Sequence, residues 1–375
     1  MTIKSIKNVK LNGKRVLLRL DINSDIINNK ISSFERLDNA IKTLKYLKNK
    51  KAITVILAHQ SRPGEKDFTS LKMHSNYLNK KIKIKFVNDI IGNNAINVIK
   101  ILKPGEILLL ENIRNLKEEL KPHAKYSKKL TKYFDIYVND AFSVSHRNHA
   151  SLVDFPGLLP SYIGLNFEKE LNAINKLRVK NALFILAGAK PEDNVKILKN
   201  NKVLTGGLFS HLCLIAKGYN LGKENKLIKK DLKLIPKIKP RLKNIILPLD
   251  VVILKNNKRE EIKINQLPVN YNIYDIGKET IKLYIKHIKK AKAIYVKGPL
   301  GMYEDKRFSL GTKLIFKAVA SSKAFSIMFG GNTIDALDKF KIDKNKINHI
   351  SLSGGALLTY LAGEKLPGLE ALKRN

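Results

Sequence analysis

The chain has 375 residues, a formal net charge of +39 from 71 Lys+Arg against 32 Asp+Glu, and one cysteine. That length allows two or three domains with a sizeable core, and the lone Cys213 excludes an internal disulfide and any CxxC metal site. No run reaches the roughly 18 apolar residues of a spanning helix, and Met1-Thr2-Ile3-Lys4 has no apolar signal core. The expectation is a cytoplasmic protein with no membrane partner.

So basic a chain invites a nucleic-acid reading. The cations are mostly lysines, however, spread among Ile and Asn along the whole sequence, and many fall on helix faces. Within 36–50, Leu37, Ile41, Leu44 and Leu47 form an apolar stripe; Lys42 and Lys50 lie clear of it and Lys45 lies at its edge. This pattern predicts a solvated face and no specific nucleic-acid partner.

Residues 1–150 alternate apolar runs with amphipathic segments, the pattern of βα units and a mostly parallel sheet. After the turn Asn12-Gly13, the run 15–20 ends at Asp21-Ile22-Asn23. The run 53–58 ends in His59-Gln60-Ser61-Arg62-Pro63, and 107–110 ends in Glu111-Asn112-Ile113-Arg114. The run 136–138 ends in Asn139-Asp140 and continues to His146-Arg147-Asn148-His149. Open parallel sheets bind ligands at the carboxyl ends of their strands, so these basic ends predict one shared anion pocket. His146 and His149 flank Arg147 without a third ligand nearby, which favours structural roles over a metal pair. Residues 64–70 read as a polar loop and 117–132 as a Lys-rich helix; the chain turns around Pro156, Pro160 and Gly164, and a helix starts near 166.

A second α/β alternation follows, with strands at 182–187, 202–205, 244–247, 293–296 and 325–328. Its strand ends carry glycine instead of arginine: Gly188, Gly206-Gly207, Gly298 and Gly330-Gly331, with Gly354-Gly355 later. Glycine permits close backbone approach to a ligand, and a following helix offers free N–H groups to an anion. Neither GxxxxGKS/T nor GxGxxG is present, so a nucleotide site here is of another type.

These motifs, in this order and spacing, resemble phosphoglycerate kinase over nearly the whole chain. The stretches that carry the resemblance include Arg19-Leu20-Asp21-Ile22-Asn23, His59-Gln60-Ser61-Arg62-Pro63, Leu110-Glu111-Asn112-Ile113-Arg114 and Val138-Asn139-Asp140-Ala141-Phe142. Others are Gly188-Ala189-Lys190, Gly298-Pro299-Leu300-Gly301-Met302-Tyr303-Glu304 and Leu366-Pro367-Gly368-Leu369-Glu370-Ala371-Leu372. The resemblance implies an α/β fold of two Rossmann-like domains with mostly parallel sheets, joined by a hinge helix. Domain 1–158 would bind 3-phosphoglycerate, 159–176 would be the hinge, 177–363 would bind nucleotide, and 364–375 would return to the first domain. It implies reversible phosphoryl transfer between 1,3-bisphosphoglycerate and ADP, giving 3-phosphoglycerate and ATP, with Mg²⁺ bound to the nucleotide, and closure about 160–176.

By the family pattern, Arg62, Arg114 and Arg147 hold the substrate phosphate with His59, while Asp21 and Asn23 orient its hydroxyl and carboxylate end. Arginine forks suit phosphate and carboxylate. The resemblance implies Arg36 and Lys190 as two cations on the moving phosphoryl group, to which Gly354 and Gly355, if they open a helix, would add backbone N–H groups. Gly188, Ala189, Gly206, Gly207, Glu304, Gly330, Gly331, Asn332 and Thr333 complete the nucleotide site.

The pattern is broken at several places. Asn332 replaces the usual Asp, and a neutral amide is a poor direct Mg²⁺ ligand. Asn194 stands where a second lysine usually follows Lys190, with Lys196 a possible substitute. Lys297 stands where asparagine is common, Leu352-Ser353 precede Gly354-Gly355 in place of Thr-Gly, and Ser61 replaces glycine. Lys190-Pro191-Glu192-Asp193 and Leu204-Thr205-Gly206-Gly207-Leu208 resemble archaeal members, so the departures read as an archaeal-type branch, which leaves Lys297 and Leu352 unexplained. Two other functions are weighed beside the active kinase. Asn194, Asn332 and Leu352 motivate a catalytically weakened relative that binds nucleotide or phosphoglycerate. The net charge motivates a nucleic-acid-binding protein, for which no helix-turn-helix, zinc-finger or single-strand-binding signature is seen.

Overall fold

Why the first apolar run is a strand is plain from its burial. In the computed structural model, Arg15–Leu20 (β1) is covered on both faces, as a central parallel strand must be. It pairs in parallel with Ile53–Leu57 (β2) on one side, Arg15 beside Ile53. Lys85–Phe86 (β3), Ile107–Leu109 (β4), Ile136–Asp140 (β5) and Ser161–Ile163 (β6) complete a six-stranded sheet, in the order β3-β4-β2-β1-β5-β6. The described residues are 3–177, 182–199 and 201–374. Met1, Thr2, the boundary after 177 and the last residue of the tail lie outside them.

The helix Glu35–Asn49 (α1) covers one face of this sheet. It buries Leu37, Ala40, Ile41, Leu44 and Leu47 and leaves Lys42, Lys45 and Lys50 to solvent. The segment 117–132 is not one helix. Pro122 and a left-handed His123 (φ 66°) separate a 3-10 turn, Lys117–Leu120, from a helix over Lys125–Thr131. Nor is 159–176 helical throughout, because Ser161–Ile163 pairs with β5 as the sixth strand and the helix Leu165–Lys176 (α2) starts after Gly164.

Asp140, the last residue of β5, caps α2. Its Oδ1 accepts from the backbone N–H of Asn166 (2.8 Å) and Phe167 (2.9 Å), and its Oδ2 from Thr43 Oγ1 (2.5 Å) and Asn166 Nδ2 (2.9 Å). Four donors on one buried carboxylate make an N-terminal cap joined to α1. Asp140→Ala removes the cap and strands the Thr43 hydroxyl, and is expected to cost about 2 kcal/mol. Denaturant unfolding measures this; a loss below about 0.5 kcal/mol would contradict the capping role.

The second sheet repeats the architecture. Its strands are Ala182–Leu186 (β7), Lys202–Thr205 (β8), Ile245–Ile246 (β9), Ala293–Lys297, Phe325–Phe329 and His349–Ser351. Between β9 and Ala293 the chain inserts three antiparallel strands, Asp250–Lys255 (β10), Lys258–Lys263 (β11) and Ile273–Ile276 (β12), which form their own sheet in the order β11-β10-β12. With Ala293–Lys297 as β13, Phe325–Phe329 as β14 and His349–Ser351 as β15, the parallel order is β9-β8-β7-β13-β14-β15. Pro191–Ile197 (α3) follows β7, Gly207–Lys217 (α4) follows β8 and Gly331–Lys339 (α5) follows β14. Gly354–Leu361 (α6) follows β15, and Pro367–Leu372 (α7) ends the described chain. Cys213 is fully buried on α4.

The chain forms two compact units. One holds residues 1–171, 355–360 and 364–375; the other holds 172–354 and 361–363. Each has its own apolar core, around Leu18, Leu44 and Ile56 in the first and Ile185, Ile294 and Phe316 in the second. Among the described residues, no helix is long and apolar enough to cross a membrane.

Candidate active site

In the first unit the carboxyl ends of β1, β2, β4 and β5 gather the residues singled out from sequence. Asp21 accepts from Arg36 Nη1, Ser143 Oγ and, at 3.1 Å, the backbone N–H of Asn23. Asn23 Oδ1 accepts from the Ser61 N–H at 2.6 Å. Arg114 donates through Nη1 to the Ser61 carbonyl. Arg62 is exposed and Arg147 half-buried.

These cations feel one another. Burial, then Arg19, Arg114, Arg36 and Arg147, holds His59 well below its ordinary pKa. Burial with Arg19 and Arg147 beside it pulls Arg114 down to about 10, and burial with Arg62 lowers Arg147. Arg114 Nε and Nη2 and Arg147 Nε are buried with no hydrogen-bond partner among the described residues. A buried charged donor left unpaired is costly. The cluster therefore has the electrostatics that suit an anion.

What holds His59 lies far from it in the sequence. Arg19, fully buried on β1, places Nη2 at 3.2 Å from His59 Nδ1 and donates from Nε to Ser151 Oγ at 2.8 Å. Ser151 Oγ donates to Glu119 Oε1 at 2.7 Å, and Glu119, also fully buried, accepts from Tyr126 at 2.6 Å. A guanidinium only donates, so His59 Nδ1 accepts and its proton sits on Nε2. His59 is a neutral N–H donor of fixed tautomer. His149 lies 3.7 Å from Glu119, a structural setting.

The loop that carries Ser61 and Arg62 is pinned by buried Gln60. Its Oε1 accepts from the Ser24 N–H (3.0 Å) and faces His74 Nε2 (3.0 Å), while its Nε2 donates to the Ser24 carbonyl (2.9 Å). Burial pulls the His74 pKa to about 4, opposed by Glu111. Between pH 6.5 and about 4 the unfolded chain binds a proton here that the folded chain does not. Stability from this group is present above pH 6.5 and falls by about 1.4 kcal/mol per pH unit below it. His74→Gln keeps a donor but cannot titrate. Its stability relative to wild type, from urea unfolding, is expected to rise by about 2 kcal/mol between pH 7 and pH 5; a pH-independent difference would contradict the assignment.

In the second unit a cavity of about 320 Å³ opens beside the glycine-bearing strand ends. Of the residues expected at a nucleotide, Gly188, Ala189, Gly207, Glu304 and Asn332 line it. Lys190, Gly206, Gly330, Gly331 and Thr333 stand outside its lining. Thr333 is buried, and its hydroxyl accepts from the Gly298 N–H at 2.9 Å. Gly207 has φ 51°, and a Cβ there would sit 2.8 Å from the Gly188 nitrogen, so backbone crowding alone demands glycine. Lys190 is exposed just before α3. Gly354 and Gly355 open α6, with Gly355 against the His146 ring.

The cavity also takes residues that sequence reasoning did not find: His211, Glu224, Asn272, Tyr274 and Asp275. His211 Nδ1 lies 3.2 Å from Glu224, whose other oxygen accepts from the Ile273 N–H at 3.1 Å. Burial pushes Asp275 up to about 7, against the Gly311 and Ile276 N–H groups that donate to it. Three of these five residues come from the inserted antiparallel segment, which no local motif announces.

Fold and strand ends together define a two-unit α/β protein, with an anion-ready arginine cluster in one unit and a cavity beside glycine-bearing strand ends in the other. The family model for phosphoglycerate kinase matches residues 6–364. The chain is 41% identical over 390 residues to the phosphoglycerate kinase of Methanothermus fervidus, covering 96% of this chain and 94% of that protein. It is 40% identical over 402 residues to that of Sulfolobus acidocaldarius, covering 99% and 96%. The crystal structure of phosphoglycerate kinase from Pyrococcus horikoshii OT3 matches it with a TM-score of 0.86 at 35% identity, covering 99% of this chain and 98% of that one. The chain belongs to the phosphoglycerate kinase family, and these three relatives are archaeal.

Proposed function

We propose that the chain is an active phosphoglycerate kinase of the cytoplasm, transferring a phosphoryl group reversibly between 1,3-bisphosphoglycerate and ADP to give 3-phosphoglycerate and ATP. The observation that carries this reading is the set of buried guanidinium N–H groups on Arg114 and Arg147 with no hydrogen-bond partner among the described residues, beside the neutral donor His59. A phosphate with several acceptor oxygens satisfies all of them at once. Arg62 closes the phosphate site from its exposed loop, and Asp21 and Asn23 orient the hydroxyl and carboxylate end. ADP or ATP lies in the cavity beside Gly188, Ala189 and Gly207, with Glu304 at the ribose. Gly206, Gly330, Gly331 and Thr333 shape the strand ends around it. The attacking carboxylate is already ionised, so no general base is needed. Arg36 and Lys190, with the N–H groups of Gly354 and Gly355, neutralise the charge on the moving group. Transfer requires the two bound substrates to be brought within reach and water to be excluded.

Magnesium enters as part of the nucleotide substrate. Asn332 offers one neutral oxygen at the head of α5, and among the described residues no group of three or more His, Cys, Asp or Glu is placed to hold an ion. Bound with the nucleotide, the ion would take its charged oxygens from the phosphates, with Asn332 offering only a neutral one.

The test is turnover of 3-phosphoglycerate with Mg-ATP, read by reducing the acyl phosphate with a coupled dehydrogenase. Steady turnover is expected. Binding of both substrates without turnover would replace this reading by that of a weakened relative.

A further inference from the structure

The chain departs from the family pattern at Asn194, in place of a lysine, and at Lys297, in place of an asparagine. They lie 103 residues apart in the chain and touch in the fold. The Lys297 ammonium is 3.2 Å from Asn194 Oδ1 and 3.5 Å from Asp193 Oδ2. Asn194 is itself held, since its Nδ2 donates to the Ala187 carbonyl at 3.0 Å. That bond fixes the amide with its oxygen toward the lysine.

Lys297 is a buried lysine held by two partners. Lys297 is only 7% exposed and Asn194 is fully buried, and lysines are almost never so buried unless paired. Lys297 is the last residue of β13, between β7 and β14, at the carboxyl edge where open sheets bind ligands. Burial pulls its pKa down, Asp193 pushes it back up, and the Lys190 charge lowers it again, so the two ammonium groups are electrostatic neighbours. An ammonium has three hydrogens to give. Asn194 and Asp193 account for two, and Asp193 is the carboxylate that offsets Lys297, with Lys190 following the neighbouring strand.

We propose that Lys297 is a second phosphate-binding cation of the nucleotide site and that Asn194 is the positioning residue that aims it. Lysine and asparagine have changed places across one contact, so the charge arrives from β13 instead of α3. The ligand is the polyphosphate of a nucleoside di- or triphosphate. The inference rests on the proposed kinase reading, and it leaves the number of cations at the site unchanged where the sequence suggested a loss.

The experiment compares four full-length forms: wild type, Lys297→Asn, Asn194→Lys and the exchanged double variant carrying both changes. Each is assayed for kcat and both KM values, titrated with Mg-ADP by calorimetry, and melted to check folding. Lys297→Asn is expected to raise the nucleotide KM and Kd about tenfold or more while the 3-phosphoglycerate KM stays put. Asn194→Lys alone sets a second ammonium against the first and is impaired too. The exchanged form is expected to recover nucleotide affinity to within about threefold of wild type, the coupling that contacting residues show. If Lys297→Asn does not fold, Lys297→Met, which keeps most of the stem, gives the same reading. Wild-type turnover together with unchanged nucleotide KM and Kd in the Lys297 variants would overturn the inference alone. So would an exchanged form no better than Lys297→Asn, which would mark a merely structural ion pair. A wild type that neither turns over nor binds nucleotide would remove the underlying reading, and this inference with it.

Discussion

Alanine at Arg36 or at Lys190 is expected to lower kcat by about a thousandfold or more, with much smaller changes in either KM. In phosphoryl transfer the negative charge spreads over the equatorial oxygens of the moving group, and the protein contributes little beyond position and countercharge. Arg36 sits in the first turn of α1, and its guanidinium is steered by Asp21, which Ser143 and the Asn23 backbone hold in turn. Lys190 stands exposed where β7 gives way to α3. Neither lies in an apolar core, so both variants should fold, and a melting temperature near wild type separates a catalytic loss from a structural one. The check is the coupled assay at saturating substrates. A variant within about tenfold of wild-type kcat would remove that residue from the transition state.

Arg114→Met is expected to raise the KM for 3-phosphoglycerate by about 10- to 100-fold while leaving thermal stability unchanged or higher. The opposite sign would follow if Arg114 were a structural partner, because breaking a buried ion pair costs about 3–5 kcal/mol. The structure favours the first outcome. Arg114 is buried among Arg19, Arg147 and Arg62, with Glu119 as the only carboxylate among its main electrostatic neighbours, and two of its nitrogens lack a partner among the described residues. Methionine keeps much of the stem volume and relieves the repulsion. Kinetics and a thermal melt on one preparation decide between the two.

The frame of the molecule was legible because its strands are short apolar runs that stop at polar residues. The runs at 53–57, 136–140, 182–186 and 293–297 stand in the structure within a residue or two of where the sequence places them. The stripe on α1 was equally plain, since a 3.6-residue period survives any tertiary context. The helix expected over 117–132 failed at Pro122, which competes with the lysine-rich pattern on either side. The sheet of β10, β11 and β12 left almost no trace, because β11, Lys-Arg-Glu-Glu-Ile-Lys, has one buried residue in six.

The site was legible where one residue type does one job, as with arginines at strand ends. It was illegible where function depends on partners far away in sequence. Arg19 looked like one more strand residue, and its anchor Ser151 lies 132 residues on. Asn194 reads as a lost lysine and Lys297 as a separate departure, and only the fold brings the two together. Glycines were legible as glycines, but Gly207 owes its identity at least as much to the Gly188 backbone as to a ligand.

In the proposed function, two unlike sets of strand ends divide the two substrates between them. Paired calorimetric titrations test it most directly. 3-Phosphoglycerate and Mg-ADP are each titrated into wild type, Arg147→Ala and Lys190→Ala. The expected result is a split: Arg147→Ala weakens 3-phosphoglycerate by about tenfold or more and leaves Mg-ADP unchanged, and Lys190→Ala does the reverse. Either variant weakening only the other ligand, or neither changing any affinity, would contradict the account.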